Sequence, residues 1–148
     1  MTSEDTSIER FHNQCREAGY RATAQRTQIY REVIRASGHP DAETVYENVS
    51  AQYPSISRDT VYRTLSLLDQ LGIISQVSLL NDRARFDPRT DQHHHFICAE
   101  CGAIFDFTSE EADNLPLPDT VKSFGRIHSH RVQVRGVCNR CNQETEQV

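Results

Sequence analysis

Apolar positions recur at helical spacing through the first half of this chain and at sheet-like spacing through much of the second. Residues 8–18 predict a short helix stopped by Gly19. Thr23 is the expected N-cap of a second helix, whose Ile29, Tyr30, Val33 and Ile34 recur at helical spacing and which Gly38 ends. Asp41 caps a third, carrying Val45, Tyr46 and Val49 to the break at Pro54. Ser57 caps a fourth, with Val61, Leu65 and Leu68 one turn apart before Gly72. Two strand-like runs follow, 73–80 and 83–87, around the turn Asn81-Asp82. Helices two to four and a hairpin outline a winged helix-turn-helix, with the helix after Ser57 in the recognition position. Its outward face offers Arg58, Tyr62, Arg63 and Ser66.

Beyond this point the pattern changes. Residues 88–92 are polar and begin with proline, as a hinge would. After it come two β-rich stretches, 95–107 and 126–137, separated by a helical or looped insert that Pro116 and Pro118 break into short pieces. The expected fold class is α+β: a winged helix-turn-helix DNA-binding domain over 1–87, a hinge over 88–92, and a small α/β dimerisation and metal-binding domain over 93–148. So thin a second domain calls for a structural metal and for pairing in a homodimer.

Charge modifies this picture in two opposed ways. The net charge of −5 does not favour nucleic acid, yet it is unevenly spread: residues 1–86 sum to −1 and residues 87–148 to −4. Every basic residue except Lys122 is arginine, the side chain suited to phosphate and guanine edges. The chain shows no apolar leader and no membrane-length run, so a soluble cytoplasmic protein is expected. Cys15, alone in a helical segment, reads as a plain packed or free thiol.

The strongest chemical signal is a pair of Cys-x-x-Cys motifs, Cys98/Cys101 and Cys138/Cys141. In a reducing compartment four thiolates in two knuckles suit one tetrahedral structural zinc, with an iron–sulfur cluster or disulfides as alternatives. Four thiolates close such a site, so the adjacent run His93-His94-His95 needs another purpose. His93 and His95 point the same way on a strand, with His94 opposite. Asp87 lies just upstream, Asp106 eleven residues after His95, and His39 in the loop between the second and third helices. Spacing alone does not assemble these residues.

The whole set of motifs resembles the ferric uptake regulator family. The matching residues are Arg21 with Gln25-Arg26, His39-Pro40, Thr60-Val61-Tyr62-Arg63-Thr64-Leu65 and Arg85-Phe86-Asp87. They continue with His93-x-His95-x-x-Cys98-x-x-Cys101-Gly102, Asp106-Phe107 and Gly136-Val137-Cys138-x-x-Cys141. The resemblance implies a homodimeric, metal-dependent repressor of double-stranded operator DNA, with Zn(II) at the four cysteines. It also implies a regulatory Fe(II) or Mn(II) held by His39, Asp87, His93, His95 and Asp106. Aspartate at positions 87 and 106 resembles the peroxide-responsive branch, in which Fe(II)-driven oxidation of a ligand histidine, here His39 or His93, releases DNA. In that branch Mn(II) is a less responsive corepressor. The alternative is a repressor that follows iron or manganese availability without sensing peroxide. On DNA, the resemblance places Tyr62 and Arg63 in the major groove and Arg21 near an A·T-rich minor groove.

Gln92, His94, Asp113 and His130 match a third metal site of the family only loosely, and His94, His128 and His130 read as polar surface residues. A metalloenzyme is the main competitor from another class. The chain has no HExxH motif and no carboxylate placed to act as a base beside a metal, so it is not expected to be an enzyme or to take a small-molecule substrate other than peroxide as signal. A zinc-stabilised protein-interaction module would leave the helix-turn-helix and the His/Asp set without a role.

Overall fold

The structure, a computed structural model, describes residues 1–77 and 83–146, and forms two compact units, Met1–Thr90 and Asp91–Val148. The first unit is built on helices α1 (Ser3–Glu17), α2 (Ala24–Arg35), α3 (Ala42–Gln52) and α4 (Arg58–Gln70). Thr23, Asp41 and Ser57 cap α2, α3 and α4 through side-chain oxygens that accept from the backbone N–H three residues on. Helix α1 begins five residues earlier than its apolar pattern suggests. Thr2 and Asp5 form a reciprocal capping box that satisfies the free N–H groups there, so the helix extends through a polar stretch. Helix α2 ends at Ala36, two residues before Gly38, because Ala36 turns to extended backbone.

The apolar faces meet in one core. Ile29, Val33, Val45, Val49, Val61, Leu65 and Leu68 are buried, closed on one side by Phe11 and Cys15 of α1. Phe11 stacks on Tyr30 with ring centroids 4.6 Å apart and planes nearly parallel. Cys15 is a packed thiol whose burial raises its pKa.

Strands β1 (Ser75–Val77) and β2 (Arg85–Asp87) pair antiparallel as the wing, Gln76 opposite Phe86. The expected turn Asn81-Asp82 and the residues 78–80 before it lie outside the described residues.

In the second unit β3 (His94–Cys98) is the central strand, with β4 (Ile104–Phe107) antiparallel on one side and β5 (Gln133–Gly136) parallel on the other. Between β4 and β5 run two short helices, α5 (Glu110–Asp113) and α6 (Asp119–Phe124), divided at Pro116 and Pro118. Only the end of the 126–137 stretch pairs as strand. A further helix, α7 (Asn139–Glu146), starts at the second Cys-x-x-Cys motif. Gly136 runs close under a ring: a Cβ there would lie 3.1 Å from Phe96, which would have to shift by a few tenths of an ångström.

Candidate metal centres and DNA-binding surface

Sheet register builds the thiol cluster. The pairing of Cys98 with Gly136 brings the end of β3 beside the start of α7, and the bond from Ala99 N to Gly136 O, 2.7 Å, clamps the two. After Cys98 the chain turns back at Gly102, which has φ +73° and donates to Cys98 O. All four Sγ atoms, Cys98, Cys101, Cys138 and Cys141, lie within 4.8 Å of one another, and Cys101 and Cys138 are 3.8 Å apart. A tetrahedral ion with zinc–sulfur bonds of about 2.3 Å has sulfur–sulfur edges of about 3.8 Å, so the cluster fits zinc.

The surrounding backbone favours thiolate. Cys98 Sγ accepts from the N–H groups of Cys101 (3.5 Å) and Cys138 (3.3 Å), which hold its pKa down to about 6. Cys141 is pushed the other way, to about 12, because hydrogen bonding to Cys138, desolvation and the other two thiols favour its protonated form. Four crowded sulfurs cannot all ionise unless a cation offsets their repulsion.

The imidazole and carboxylate donors form one group in each unit. In the first, β2 runs beside the loop that carries His39: Phe86 N donates to Pro40 O at 2.9 Å, Asp41 bridges to Arg85, and the Arg85 guanidinium donates to His39 O. This lacing holds His39 Nε2 3.0 Å from Asp87 Oδ2, with both residues buried. In the second, the pairing of His95 with Asp106 across β3 and β4 places His95 Nε2 3.3 Å from Asp106 Oδ1. His93 and His95 sit edge to face with ring centroids 4.7 Å apart, the same-side relation expected of residues two apart on a strand, and His93 Nδ1 bonds Asp91 O at 2.7 Å. Imidazoles with hard carboxylates suit Fe(II) or Mn(II).

His94 departs from the expectation of a polar surface residue. It is fully buried, with Nε2 2.7 Å from Asp113 Oδ1 and Nδ1 accepting from Val132 N at 3.0 Å. Hydrogen bonds to both ring nitrogens let a polar side chain enter the interior. His130, partly buried, donates from Nε2 to Ala112 O, and Gln92 Nε2 donates to His130 O. His128 is exposed as expected. These bonds tie α5 and the irregular segment before β5 to β3 and the residues that lead into it. The clue in the sequence was the alternation itself, which turns His94 away from its neighbours and into the unit.

The outer side of the winged-helix unit carries the DNA-facing candidates. In α4, Val61, Leu65 and Leu68 point inward, which leaves Tyr62 exposed and Arg63 paired with Asp59 at 3.0 Å. Arg21 and Arg63 line one surface cleft between the start of α2 and α4, and Arg26 fixes its floor by donating to Arg21 O at 2.8 Å.

A winged helix joined to a thiolate-stapled α/β unit describes a DNA-binding regulator with a structural metal. The description of the ferric uptake regulator family matches residues 17–135. The peroxide-responsive repressor PerR of Staphylococcus epidermidis is 35% identical over 145 residues, covering 97% of this chain and 96% of that protein. Among solved structures, the Helicobacter pylori ferric uptake regulator Fur has a TM-score of 0.75 at 23% identity, with 95% of each chain covered, a likeness of fold. PerR from Streptococcus pyogenes, described as a peroxide-sensing gene regulator, has a TM-score of 0.54 at 26% identity, with 91% of this chain and 92% of that one covered.

The chain belongs to the ferric uptake regulator family. It is a metal-responsive transcriptional repressor, not an enzyme, with a four-thiol cluster that fits structural zinc and histidine–aspartate donors suited to iron or manganese. Among the described residues no helix is long and apolar enough to cross a membrane.

Proposed function

We propose that this protein represses transcription from operator DNA and releases it when hydrogen peroxide oxidises a histidine of a regulatory Fe(II) site. The observation that carries the reading is the donor set: aspartates, not glutamates, accompany the histidines, with Asp87 against His39 and Asp106 against His95. The 35% identity to a peroxide-responsive repressor across nearly the whole chain supports the same branch.

In this reading His39, Asp87, His93, His95 and Asp106 hold the regulatory ion. Fe(II), when bound, would catalyse the cleavage of peroxide, lending electrons that the oxidised imidazole returns, so that the net two electrons come from the histidine. His39 and His93 are the oxidation targets: one peroxide oxygen ends on an imidazole carbon, the other leaves as water. His39 Nε2 and Asp87 Oδ2 face each other at 3.0 Å, as two donors to one ion would, and the Asp91 carbonyl orients His93. An oxidised imidazole is a poorer donor, and its loss removes the free energy by which the metal favours the DNA-binding arrangement. Mn(II) fills the same donors with little peroxide chemistry.

Tyr62 and Arg63 read the major groove and Arg21 the minor groove, the last sensing groove width. Dimerisation uses the second unit. Phe96, Phe105 and Val134 stand side by side across its three strands on one face, and Phe105 and Val134 are exposed, as an apolar surface shared between two copies would be.

Peptide mass spectrometry on protein loaded anaerobically with Fe(II) and given a small excess of hydrogen peroxide tests the chemistry. One added oxygen on the His39 or His93 peptide is expected with iron and not with a Mn(II) control. Unmodified histidines in both samples would leave a repressor that follows metal availability alone.

A further inference from the structure

Arg58 opens the recognition helix with a side chain 63% exposed, where a phosphate-binding cation would be expected. It is nevertheless engaged. Its Nε lies 3.2 Å from both carboxylate oxygens of Glu43, and its Nη2 lies 3.0 Å from one of them. The guanidinium carbon also sits 4.4 Å from the centroid of the Tyr46 ring. Glu43 and Tyr46 are three residues apart on α3, so one face of that helix supplies both the anion and the ring. Isolated surface ion pairs are weak. A guanidinium fork seated on a carboxylate with a ring beside it is the geometry in which a held arginine stays held. Arg58, ahead of its other neighbours, keeps the Glu43 pKa below the usual glutamate range.

The other arginine of the helix face is held more loosely. Arg63 meets Asp59 through one exposed contact one turn away on the same helix, which a duplex can displace at small cost.

We propose that Glu43 restrains DNA affinity: it withholds Arg58 from the phosphates that the recognition helix meets. The inference rests on the reading of α4 as the recognition helix. Non-specific affinity comes from phosphates neutralised by cations, each steepening the salt dependence by about 0.9. Withholding one cation weakens binding to every sequence alike, because it acts on the backbone contacts that all duplexes share. Glu43 therefore lowers the electrostatic share of DNA binding, in a protein whose first 86 residues sum to −1 and already limit indiscriminate binding.

The test is a salt titration of binding by full-length, Mn(II)-loaded protein to a random-sequence duplex and to an operator duplex selected from a random pool. Glu43→Gln is expected to steepen the random-duplex slope by about 0.9, which makes binding at 50 mM relative to 200 mM salt roughly threefold more favourable than in the parent. The operator slope should steepen by the same amount, about 0.9. Adding Arg58→Ala should restore the parental slope, identifying Arg58 as the released cation. Arg58→Ala alone should leave the slope unchanged; a fall of about 0.9 would make Arg58 a phosphate ligand already and overturn the proposal. An unchanged slope in Glu43→Gln, or a steep one in the double variant, would overturn it too. Failure of the parent protein to bind either duplex would instead strike the recognition-helix reading itself.

Discussion

The two units hold themselves together by different means. The first buries Phe11, Ile29, Val33, Val45, Val49, Leu65, Leu68 and their neighbours in a continuous apolar core, as a helical domain of its size should. The second has, among its described residues, a buried cluster made of Cys98, Cys138 and Cys141, flanked by Phe96 and Ala103. Ile97 is buried as well, but several larger apolar side chains, Phe105, Phe124, Val134 and Val137 among them, are exposed. In one unit the hydrophobic effect supplies the stability, and in the other sulfur–metal bonds replace a core too small to suffice.

Removing the metal should break this contrast most sharply. Structural zinc contributes on the order of 10 kcal/mol in small thiolate domains, comparable to or greater than the whole stability of an ordinary domain. Stripping zinc with a strong chelator, or replacing Cys138 with serine, is expected to abolish amide protection across residues 91–146 and leave it in 1–77. Hydrogen exchange read by mass spectrometry suits a chain without tryptophan. Protection of β3 and β5 that survived metal removal would mean the second unit has a core of its own.

A core truncation makes the converse test. Leu65 is buried against the packed faces of the helical unit, so Leu65→Ala should cost about 2–5 kcal/mol, through lost burial and the cavity left behind. Urea denaturation followed by circular dichroism measures the loss, and zinc content after partial unfolding should stay at the parental level. Zinc released in step with helix melting would show that the two units do not stand on separate supports.

How far the sequence reveals each unit follows from the same difference. Helices α2 to α4 were legible with their caps, because periodic apolar residues and side-chain caps are local signals, written within a few positions of the structure they specify. The capping box at Thr2 was equally local but was hidden in a polar stretch. The four cysteines could be read from spacing alone. The short β5, helix α7 and the burial of His94 could not be, since each depends on partners far along the chain: Gly136 against Cys98, and Asp113 and Val132 against His94. For the same reason spacing could nominate His39 and Asp87 but not pair them, and the grip of Glu43 on Arg58 spans fifteen residues and two helices.

The smallest expected effect concerns how the units respond to acid. Asp41 caps α3, its Oδ1 accepting from Thr44 N at 2.8 Å. Burial pushes its pKa up, but the Thr44 backbone and side-chain hydrogen bonds and the charges of Arg83 and Arg85 outweigh that, leaving it below the ordinary 3.8. A carboxyl with a lowered folded-state pKa contributes stability above its unfolded value and loses it as pH falls through the folded one. Asp41→Ala should therefore cost about 1 kcal/mol at neutral pH, and the difference from the parent should shrink below about pH 4. Asp41→Asn keeps a capping oxygen, so it should lie close to the parent at neutral pH while losing this acid dependence. Urea midpoints of the three proteins between pH 3 and pH 7 decide the matter, and a cost that stays constant across that range would assign the effect to packing. The second unit should behave differently: protons compete with zinc for thiolates, so acid should remove its support in one larger step, visible as zinc release, and not in single-carboxylate increments.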